Sequence, residues 1–442
     1  MLKTFKVGGI HPPENKLSAG AVVETLPLPE MVIIPVSQHI GAPAQIMVQK
    51  GDAVKVGTII AKQTGFVSAN IHSSVSGIVQ KIEETFDTSG YRRKAIVINV
   101  DGDQWEDSID QTTTLKTDIE LSTSEIIQRI SELGIVGLGG ATFPTHVKLS
   151  IPSGKTAEIL IINAVECEPY LTADHRLMLE SPDEIMVGTT ILMNALGVKK
   201  AVIGIEKNKP DAIAKLTETA KKYQGISVVP LKVKYPQGAE KQLIKAIFDR
   251  EIPSGKLPIE VGAVVQNVGT AFAVYEAIQK NKPLIERIVT VTGKSVSKPS
   301  NFKVRIGTPV QKLIDHIGGL PKDTAKVVNG GPMMGKALRD LNVPVTKGTS
   351  GILILNKKLA SRKEYVNCIR CGRCVTVCPM GLEPFLLMTH GELQMWGDAE
   401  KNHVMDCIEC GSCSFTCPAH RPLLDYIRHG KSNVGKIMRN RK

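Results

Sequence analysis

Aromatic residues and long apolar runs are both scarce in this sequence of 442 residues. Phe, Trp and Tyr together make up 4% of the chain, too few to build the platforms on which unpaired nucleic-acid bases stack. No apolar run reaches the ~18 to 20 residues of a membrane-spanning helix, and the stretch after Met1 lacks the apolar core of a secretory signal. We therefore expect a chain that is soluble by itself, binds no nucleic acid and lies in the cytoplasm.

Cysteine is absent from most of the chain. Of nine cysteines, eight lie between Cys368 and Cys417, and Cys167 stands alone. In a reducing compartment this crowding indicates metal ligation and excludes a disulfide scaffold. The formal net charge of +12 favours phosphate-bearing ligands, acidic partner proteins or an anionic membrane surface. At ~150 residues per domain, the length predicts about three domains.

After an N-terminal segment, residues 1–30, the stretch 31–105 alternates apolar and polar residues in short runs, which predicts an all-β domain. Gly51, Asp52, Val54 and Gly57 match the GDxVxxG turn of lipoyl and biotinyl carrier domains, so this region resembles a barrel-sandwich hybrid. Those carriers are modified at a lysine on the next hairpin, and residues 64–70 contain none. We therefore expect a structural domain that docks its neighbours.

Residues 120–281 mix helical and strand patterns. Ser122 and Glu125 have the spacing of a capping box ahead of apolar residues at helical intervals, which predicts a helix. Four short runs rich in β-branched residues follow, at 159–165, 201–205, 226–231 and 262–266, with helix-length stretches between them. This alternation predicts a parallel, Rossmann-like α/β sheet.

A glycine-rich loop carries one candidate site of this region. Gly137, Gly139 and Gly140 permit close approach of backbone N–H groups to a phosphate, and Lys148 supplies a cation nearby. The alternative is a plain loop with a surface lysine, because the glycines follow a helix and no strand and so depart from the dinucleotide fingerprint.

Polar residues follow the first predicted strand. Asn163, Glu166 and Glu168 lie at its carboxyl end, where ligands of α/β sheets bind and where carboxylates accept hydrogen bonds from ribose hydroxyls. The alternative is that Glu166 and Glu168 cap or pair locally. Residues 235–241 and 266–270 also follow strands, and we expect them to line the same crevice. Cys167 is expected to be a small buried residue.

Residues 285–356 return to a strand pattern with one helix near residue 310, which predicts a small β-grasp domain. Gly330, Gly331 and Gly335 in this region are expected to form a turn and no ligand site.

The strongest signal lies in residues 360–427, where the motif CxxCxxCxxxCP occurs twice, beginning at Cys368 and Cys407. Three closely spaced cysteines let one loop hold three corners of a cubane, while the fourth, followed by proline, leads toward the other cluster. A four-cysteine zinc site is the alternative, although such sites use two CxxC pairs and need no fourth, proline-backed cysteine. We therefore expect a ferredoxin-like domain with two [4Fe-4S] clusters. The predicted ligands are Cys368, Cys371, Cys374 and Cys417 for cluster 1, and Cys407, Cys410, Cys413 and Cys378 for cluster 2.

Residues 428–442 are basic and contain no acidic residue. A solvated, partly disordered tail is expected, with a charge suited to an acidic surface. Its cations are Arg428, Lys431, Lys436, Arg439, Arg441 and Lys442.

Over nearly the whole chain, these segments together resemble the RnfC subunit of Rnf complexes. The similar parts are residues 8–16, 139–148, 163–176 and 235–243 and the doubled cysteine motif. The glycine loop is also similar to the pattern GRGGAGFPTGxK of the FMN- and NADH-binding subunit of respiratory complex I, which aligns with residues 137–148. Leu138 replaces the arginine of that pattern, and Ala239 replaces the first glutamate of a later GEE pattern.

The resemblance implies roles for individual residues. Asn163 is implied to contact the flavin, and Phe143 to stack on the nicotinamide cofactor. The residues implied to hold the FMN phosphate are Gly137, Gly139, Gly140 and Lys148. The other matched positions of the family's binding loops are Glu166, Glu168, Gly238, Glu240, Asn267 and Thr270.

The resemblance implies a peripheral subunit on the cytoplasmic face of a membrane-bound ferredoxin:NAD+ oxidoreductase that is coupled to ion transport. Such a subunit exchanges hydride between NAD(H) and non-covalent FMN and relays electrons through its clusters. Its implied partners are an iron-sulfur subunit and membrane-embedded subunits, with ferredoxin as an indirect partner. One alternative is an iron-sulfur adaptor with an empty flavin-like scaffold. Another is the flavin subunit of a soluble NAD-linked dehydrogenase or hydrogenase.

Overall fold

The structure, a computed structural model, describes residues 2–441. Its first eight strands are β1 (Val23–Thr25), β2 (Met31–Pro35), β3 (Gln45–Ile46), β4 (Ala53–Val54), β5 (Ile59–Lys62), β6 (Ile71–His72), β7 (Gly77–Phe86) and β8 (Arg92–Val100). Seven of them form two antiparallel sheets, ordered β2-β8-β7-β4 and β3-β5-β6. Alternate residues such as Ile34 in β2 and Ile98 in β8 are fully buried in one core shared by both sheets. The all-β prediction is confirmed.

The next region alternates helices and strands. Its elements are α1 (Thr123–Glu132), α2 (Thr145–Leu149), β9 (Ile159–Asn163), α3 (Ala173–Glu180), α4 (Pro182–Leu196), β10 (Ala201–Glu206), α5 (Pro210–Ala220), β11 (Ile226–Leu231), α6 (Glu240–Phe248), a 3-10 turn (Pro258–Val261), β12 (Ala263–Asn267) and α7 (Val268–Lys280). The four predicted strands and the capping box at Ser122 are confirmed.

These four strands form one parallel sheet in the order β11-β10-β9-β12. The chain builds β10 and β11 on one side of β9 and then returns to its other side with β12. The direction of construction therefore reverses between β9 and β12, and ligands of open α/β sheets bind at the carboxyl edge of such a reversal. The loops after β9, β11 and β12 all lie on this carboxyl edge.

The third region contains β13 (Glu286–Thr292), β14 (Ser300–Arg305), α8 (Val310–His316), β15 (Thr324–Asn329), β16 (Lys336–Ala337) and β17 (Gly351–Asn356). Its sheet has the order β1-β14-β13-β17-β15-β16. The N-terminal segment thus supplies an edge strand, because β1 pairs in parallel with β14, from Val23 opposite Asn301. This long-range pairing was not predicted.

The last region is helical, with α9 (Lys357–Ala360), α10 (Arg373–Thr376), α11 (Pro384–Glu392), α12 (Trp396–Lys401), a 3-10 turn (Val404–Asp406), α13 (Ser412–Thr416) and α14 (Leu423–Asn440). The prediction of a solvated tail from residue 428 is wrong, because α14 continues through this stretch. Leu423, Ile427 and Val434 form a stripe that is buried in the core of the domain. Lys442 lies outside the described residues.

Within residues 2–441, no helix has both the length and the apolar content that a membrane crossing requires.

Candidate functional site

The glycine loop between α1 and α2 is docked on the start of α7. Leu138 N donates to Thr270 Oγ1 at 2.9 Å, and Gly137 N donates to Phe143 O at 2.8 Å. A Cβ on Gly139 would lie 2.9 Å from the Asn267 side chain, so this position requires glycine. A Cβ on Gly140 would meet no atom within 4 Å. The loop is therefore fixed on one side and open on the other, at the reversal between β9 and β12.

Asn267 caps α7 and carries the loop. Its Oδ1 accepts from Gly269 N at 2.8 Å and from Thr270 N at 3.3 Å, and its Nδ2 donates to Asp174 Oδ2 at 2.8 Å. Burial, together with the nearby Glu166 carboxylate, raises the pKa of Asp174 above its usual range. Both ends of the Asn267 amide are thus occupied by the protein, and Asn267 and Thr270 position the glycine loop.

Lys148 and Glu240 form an ion pair across the carboxyl edge of the sheet. Lys148 Nζ donates to Glu240 Oε1 at 2.7 Å and to Val265 O at 3.1 Å, and both side chains are partly exposed. Glu240 is the first residue of α6, where the helix dipole favours negative charge. The two predicted binding residues, Lys148 and Glu240, are therefore brought together.

Asn163, the last residue of β9, is joined to the loop before α6. Its Nδ2 donates to Gly238 O at 2.8 Å, and its Oδ1 accepts from Val165 N at 3.2 Å. A Cβ on Gly238 would lie 3.2 Å from Cys167 Sγ, so space at this position is tight. Cys167 is partly buried, and burial raises the pKa of its thiol to about 12. The loops after β9 and β11 thus meet, as the sequence predicted.

Glu166 and Glu168 both make local contacts. The Glu166 carboxylate accepts from Asp174 N and His175 N, at the start of α3. Glu168 Oε1 accepts from Met333 N at 2.9 Å and Met334 N at 2.8 Å, in the predicted turn of the third region. Glu168 Oε2 is buried and has no hydrogen-bond partner among residues 2–441. Both carboxylates thus make the local hydrogen bonds that the sequence analysis gave as the alternative to ligand binding. Ribose binding by Glu166 and Glu168 stays a prediction.

Four cysteines from both motifs line one cavity, which we call the inner cavity. They are Cys378 of the first motif and Cys407, Cys410 and Cys413 of the second. Backbone groups point at the sulfur atoms, since Leu382 N donates to Cys378 Sγ and Glu409 N to Cys407 Sγ, each at 3.4 Å. Burial, with the neighbouring thiols adding to it, raises the pKa of Cys407 to about 11 and that of Cys413 to about 12. Metal binding must therefore displace these protons.

Of the other four cysteines, Cys374 and Cys417 are partly buried against the core of the domain. Cys368 and Cys371 are exposed, and Arg370 N donates to Cys368 Sγ at 3.4 Å, which matches the contact at Cys407. The thiol of Cys417 is close enough to Cys374 to raise its pKa, after burial as the main cause. Cys417 of the second motif therefore lies near Cys374 of the first, and the crossed ligand set stays a prediction.

The spacing of the cysteines bears on the choice between zinc and a cluster. Among residues 2–441, no three His, Cys, Asp or Glu side chains lie close enough together to ligate one ion. Zinc needs all four sulfurs at about 2.3 Å from one centre, whereas a cubane holds its four thiolates apart. The cysteines around the inner cavity come from two copies of a motif whose fourth cysteine precedes proline, which is typical of cluster ligands.

The inner cavity abuts the carboxyl edge of the α/β sheet through contacts that sequence reasoning missed. Tyr235 Oη donates to Cys410 O at 2.8 Å, and Gln242 Nε2 donates to Pro379 O at 3.1 Å. Gly9 N donates to Val377 O at 2.9 Å. Tyr235 lies in one of the loops predicted to line the crevice, but no local pattern indicates its long-range partner.

Two lysines, Lys16, which is partly buried, and Lys209, which is buried, contact the loop after β9 and were also missed. Lys16 Nζ donates to the carbonyls of Glu166, Glu168 and Leu171 at 2.8, 3.0 and 2.7 Å. Lys209 Nζ donates to Val165 O at 2.8 Å. Burial lowers the pKa of Lys16. The only signal for Lys16 in the sequence is its place in the segment 8–16.

Family models match successive parts of the chain. They describe an RnfC barrel sandwich hybrid domain over residues 3–103, a Nuo51 FMN-binding domain over residues 130–276, an SLBB domain over residues 288–337 and a 4Fe-4S dicluster domain over residues 360–418. The predicted fold class is thereby confirmed: a barrel-sandwich hybrid, an α/β flavin domain, a β-grasp domain and a ferredoxin-like domain.

Curated relatives match over most of their length. The chain is 48% identical over 437 residues to the C subunit of the proton-translocating ferredoxin:NAD(+) oxidoreductase complex of Clostridium ljungdahlii, covering 98% of this chain and 94% of the relative. It is 47% identical over 437 residues to the C subunit of the Na(+)-translocating ferredoxin:NAD(+) oxidoreductase complex of Acetobacterium woodii, covering 98% and 97%. It is 43% identical over 394 residues to the C subunit of the ion-translocating oxidoreductase complex of Rhodobacter capsulatus, covering 87% and 75%.

Proposed function

The chain belongs to the RnfC family of ion-translocating ferredoxin:NAD+ oxidoreductase complexes, and we propose on this basis that it exchanges hydride between NAD(H) and FMN. Electrons then pass singly through two [4Fe-4S] clusters to the other subunits of a membrane-bound complex. FMN, when bound, takes up two electrons together and releases them one at a time, as iron-sulfur clusters require. The observation that carries the proposal is the contact of Tyr235 with Cys410, which joins the carboxyl edge of the sheet to the inner cavity.

The glycine loop fits an FMN phosphate. Gly139 packs against Asn267 with no room for a side chain, Gly140 faces open space, and Lys148 lies eight residues further along the chain. We assign phosphate binding to Gly139, Gly140 and Lys148, because backbone N–H groups and a lysine together bind phosphate oxygens. Gly137, whose N–H donates to Phe143 O, would shape the loop. Asn267 and Thr270 would hold this loop in place, and Asn163 with Gly238 would form the wall on the flavin side.

NAD(H) is assigned to the open side of the same edge. Phe143 is half-buried and supplies a ring for stacking. Glu168 Oε2 is buried near the Tyr235 hydroxyl, so ribose binding by Glu168 would require this carboxylate to become accessible. Glu166 has both oxygens engaged at the start of α3, so its part in binding the ribose requires a donor in addition to these. Glu240 would place a negative charge next to the Lys148 ammonium group.

The cysteines fit two clusters with crossed ligands. Cys378, Cys407, Cys410 and Cys413 would hold the inner cluster, because they share one cavity and receive N–H donors at sulfur. Cys368, Cys371, Cys374 and Cys417 would hold the outer one. The inner set abuts the flavin domain, so these four cysteines would hold the group nearer the flavin, and the outer set, with Cys368 and Cys371 exposed, would hold the group nearer the partner subunits.

We further propose that the subunit is peripheral and lies on the cytoplasmic face, held by an iron-sulfur subunit and membrane-embedded subunits. No described helix is suited to cross a membrane, so protein contacts would hold it there. Salt washing of membranes tests this placement, because a peripheral subunit is released without detergent.

A cofactor inventory of the anaerobically purified chain tests the proposal. We expect about eight irons and one non-covalent FMN per chain, given two cubane sites and one phosphate cradle. Iron without flavin would favour the adaptor with an empty scaffold, and stoichiometric zinc without iron would contradict the redox function. A chain that never co-purifies with membranes would favour a soluble dehydrogenase.

A further inference from the structure

The two copies of the cysteine motif have the same spacing but opposite surroundings. In the second copy, Ile408 packs in an apolar cluster with Ile10, Tyr235 and Met333, so the rest of the chain covers this loop. The equivalent residue of the first copy, Ile369, is 65% exposed. One copy therefore has its contact surface inside the chain, and the other presents the same surface to solvent.

The two loops also differ in charge. Arg370 and Arg373 occupy the positions at which the second copy has Glu409 and Ser412. Glu409 pairs with cations of α14, and Ser412 is fully buried. Arg370 and Arg373 are exposed, and neither forms an ion pair with another of the residues 2–441. These two cations are thus available to a partner.

Exposed apolar side chains lie on both sides of the same loop: Tyr365 and Val366 precede it in the chain, and Phe415 lies in α13, which contacts α10 at the end of the loop. Tyr365, Val366 and Phe415 are each more than half exposed, and Val366 N donates to Ala419 O, which ties this strip to the second motif. Apolar side chains grouped in this way and rimmed by charge mark protein interaction sites. We call this surface the outer patch, and it consists of Lys363, Tyr365, Val366, Ile369, Arg370, Arg373 and Phe415.

We propose that the outer patch is the docking surface for an acidic face of the iron-sulfur subunit of the same complex. This inference rests on the function proposed above, because it assumes that the outer cysteines hold a cluster. Lys363, Arg370 and Arg373 favour an acidic partner by charge complementarity, with Glu364 as the one acid of this stretch. The apolar side chains favour a lasting interface between subunits over a brief encounter with a soluble carrier, because lasting interfaces are more apolar.

The repeat itself supplies a variant that is compatible with the fold. Arg370→Glu combined with Arg373→Ser gives the outer loop the residues of the inner loop. Glu409 already has a φ of 57°, close to the 55° of Arg370, so glutamate tolerates this conformation. The matched control is Lys312→Glu with Lys322→Ser, which makes the same change of charge at exposed lysines of the β-grasp domain.

The complex is purified through a tag on this chain over a salt series. We expect the patch variant to retain roughly tenfold less of the iron-sulfur subunit than the control at moderate salt. Iron and flavin content and reduction by NADH are measured on the isolated chain, so a failure of the proposed function is seen separately. Equal retention in variant and control would overturn the docking proposal.

A second variant is needed in case the Arg370→Glu, Arg373→Ser variant loses iron, because weaker retention of the partner would then have two explanations. Lys363→Glu lies outside the cysteine motif and is judged by the same retention assay. Loss of iron in both variants would overturn the proposal, because the patch would then support the cluster site itself. Retention by Lys363→Glu at the level of the control would overturn it as well.

Cross-linking of the unmodified complex gives an independent readout. A carbodiimide joins a lysine to a carboxylate in direct contact, so Lys363 should link to an Asp or Glu of the iron-sulfur subunit while Lys312 should not. Links from Lys363 only to soluble ferredoxin, or only within this chain, would overturn the choice of partner.

Discussion

Replacing Lys148 with alanine separates the binding of FMN from the stability of the fold. The Lys148 side chain is 28% exposed and pairs with Glu240 at 2.7 Å. A charge-assisted hydrogen bond to phosphate contributes about 1.5–3 kcal/mol, whereas a partly exposed ion pair contributes at most about 1 kcal/mol. We therefore expect the Kd for FMN to rise roughly tenfold to hundredfold, while the flavin-free chain loses about 1 kcal/mol of stability or less.

The assay is a titration of FMN into the flavin-free chain, followed by flavin fluorescence, with thermal melting of the flavin-free chain alongside. Lys155→Ala is the matched control, because Lys155 pairs with Glu260 at 2.6 Å near the amino ends of β9 and β12. An unchanged Kd in Lys148→Ala would refute the placement of the phosphate. An equal change in Lys155→Ala would do the same, because the effect would then not be local to the glycine loop.

The remaining predictions concern the clusters, the ribose contact and pH. Cys378→Ala should perturb the same cluster signal in electron paramagnetic resonance spectra as Cys410→Ala, and a signal distinct from it would show that each motif holds its own cluster. Glu166→Gln should weaken the binding of NADH more than the binding of FMN in parallel titrations. It should also lower the melting temperature, because the Glu166 side chain caps α3. Weaker FMN binding with unchanged NADH binding would reverse the assignment. Burial lowers the pKa of Lys347 from 10.5 to about 7. Between about pH 7 and pH 10, the Lys347 amine therefore carries a proton in the unfolded chain but not in the folded one. Because the unfolded chain binds more protons, Lys347 makes the free energy of unfolding rise with pH in this range. Melting temperatures of the parent and Lys347→Met should therefore diverge in slope between about pH 7 and pH 10, and parallel slopes would contradict the buried, neutral lysine.

The sequence was sufficient wherever local pattern decides structure. The strands at Ile159–Asn163 and Ala263–Asn267 are runs of apolar, largely β-branched residues buried on both faces, and such runs are typical of a parallel sheet. The spacing of the cysteines likewise encodes a loop that wraps a cluster. The site residues that lie in these segments were therefore found together with the elements that position them.

The contacts missed are those between residues far apart in the chain. β1 pairs with β14, and Lys16 binds carbonyls of the loop after β9; no local period indicates either partner. The C-terminal helix was missed for another reason. Its apolar stripe, Leu423, Ile427 and Val434, has helical spacing, but the six Lys and Arg residues from Arg428 to Lys442 favour a solvated tail when charge alone is weighed.

Anaerobic titration of the purified chain with NADH tests the central claim most directly. Absorption reports the flavin, and electron paramagnetic resonance reports the reduced clusters. If one chain takes up hydride and passes on single electrons, NADH alone should bleach the flavin and then bring up the signals of both clusters. Clusters that NADH does not reduce, and that NAD+ does not reoxidise after reduction by dithionite, would contradict the account.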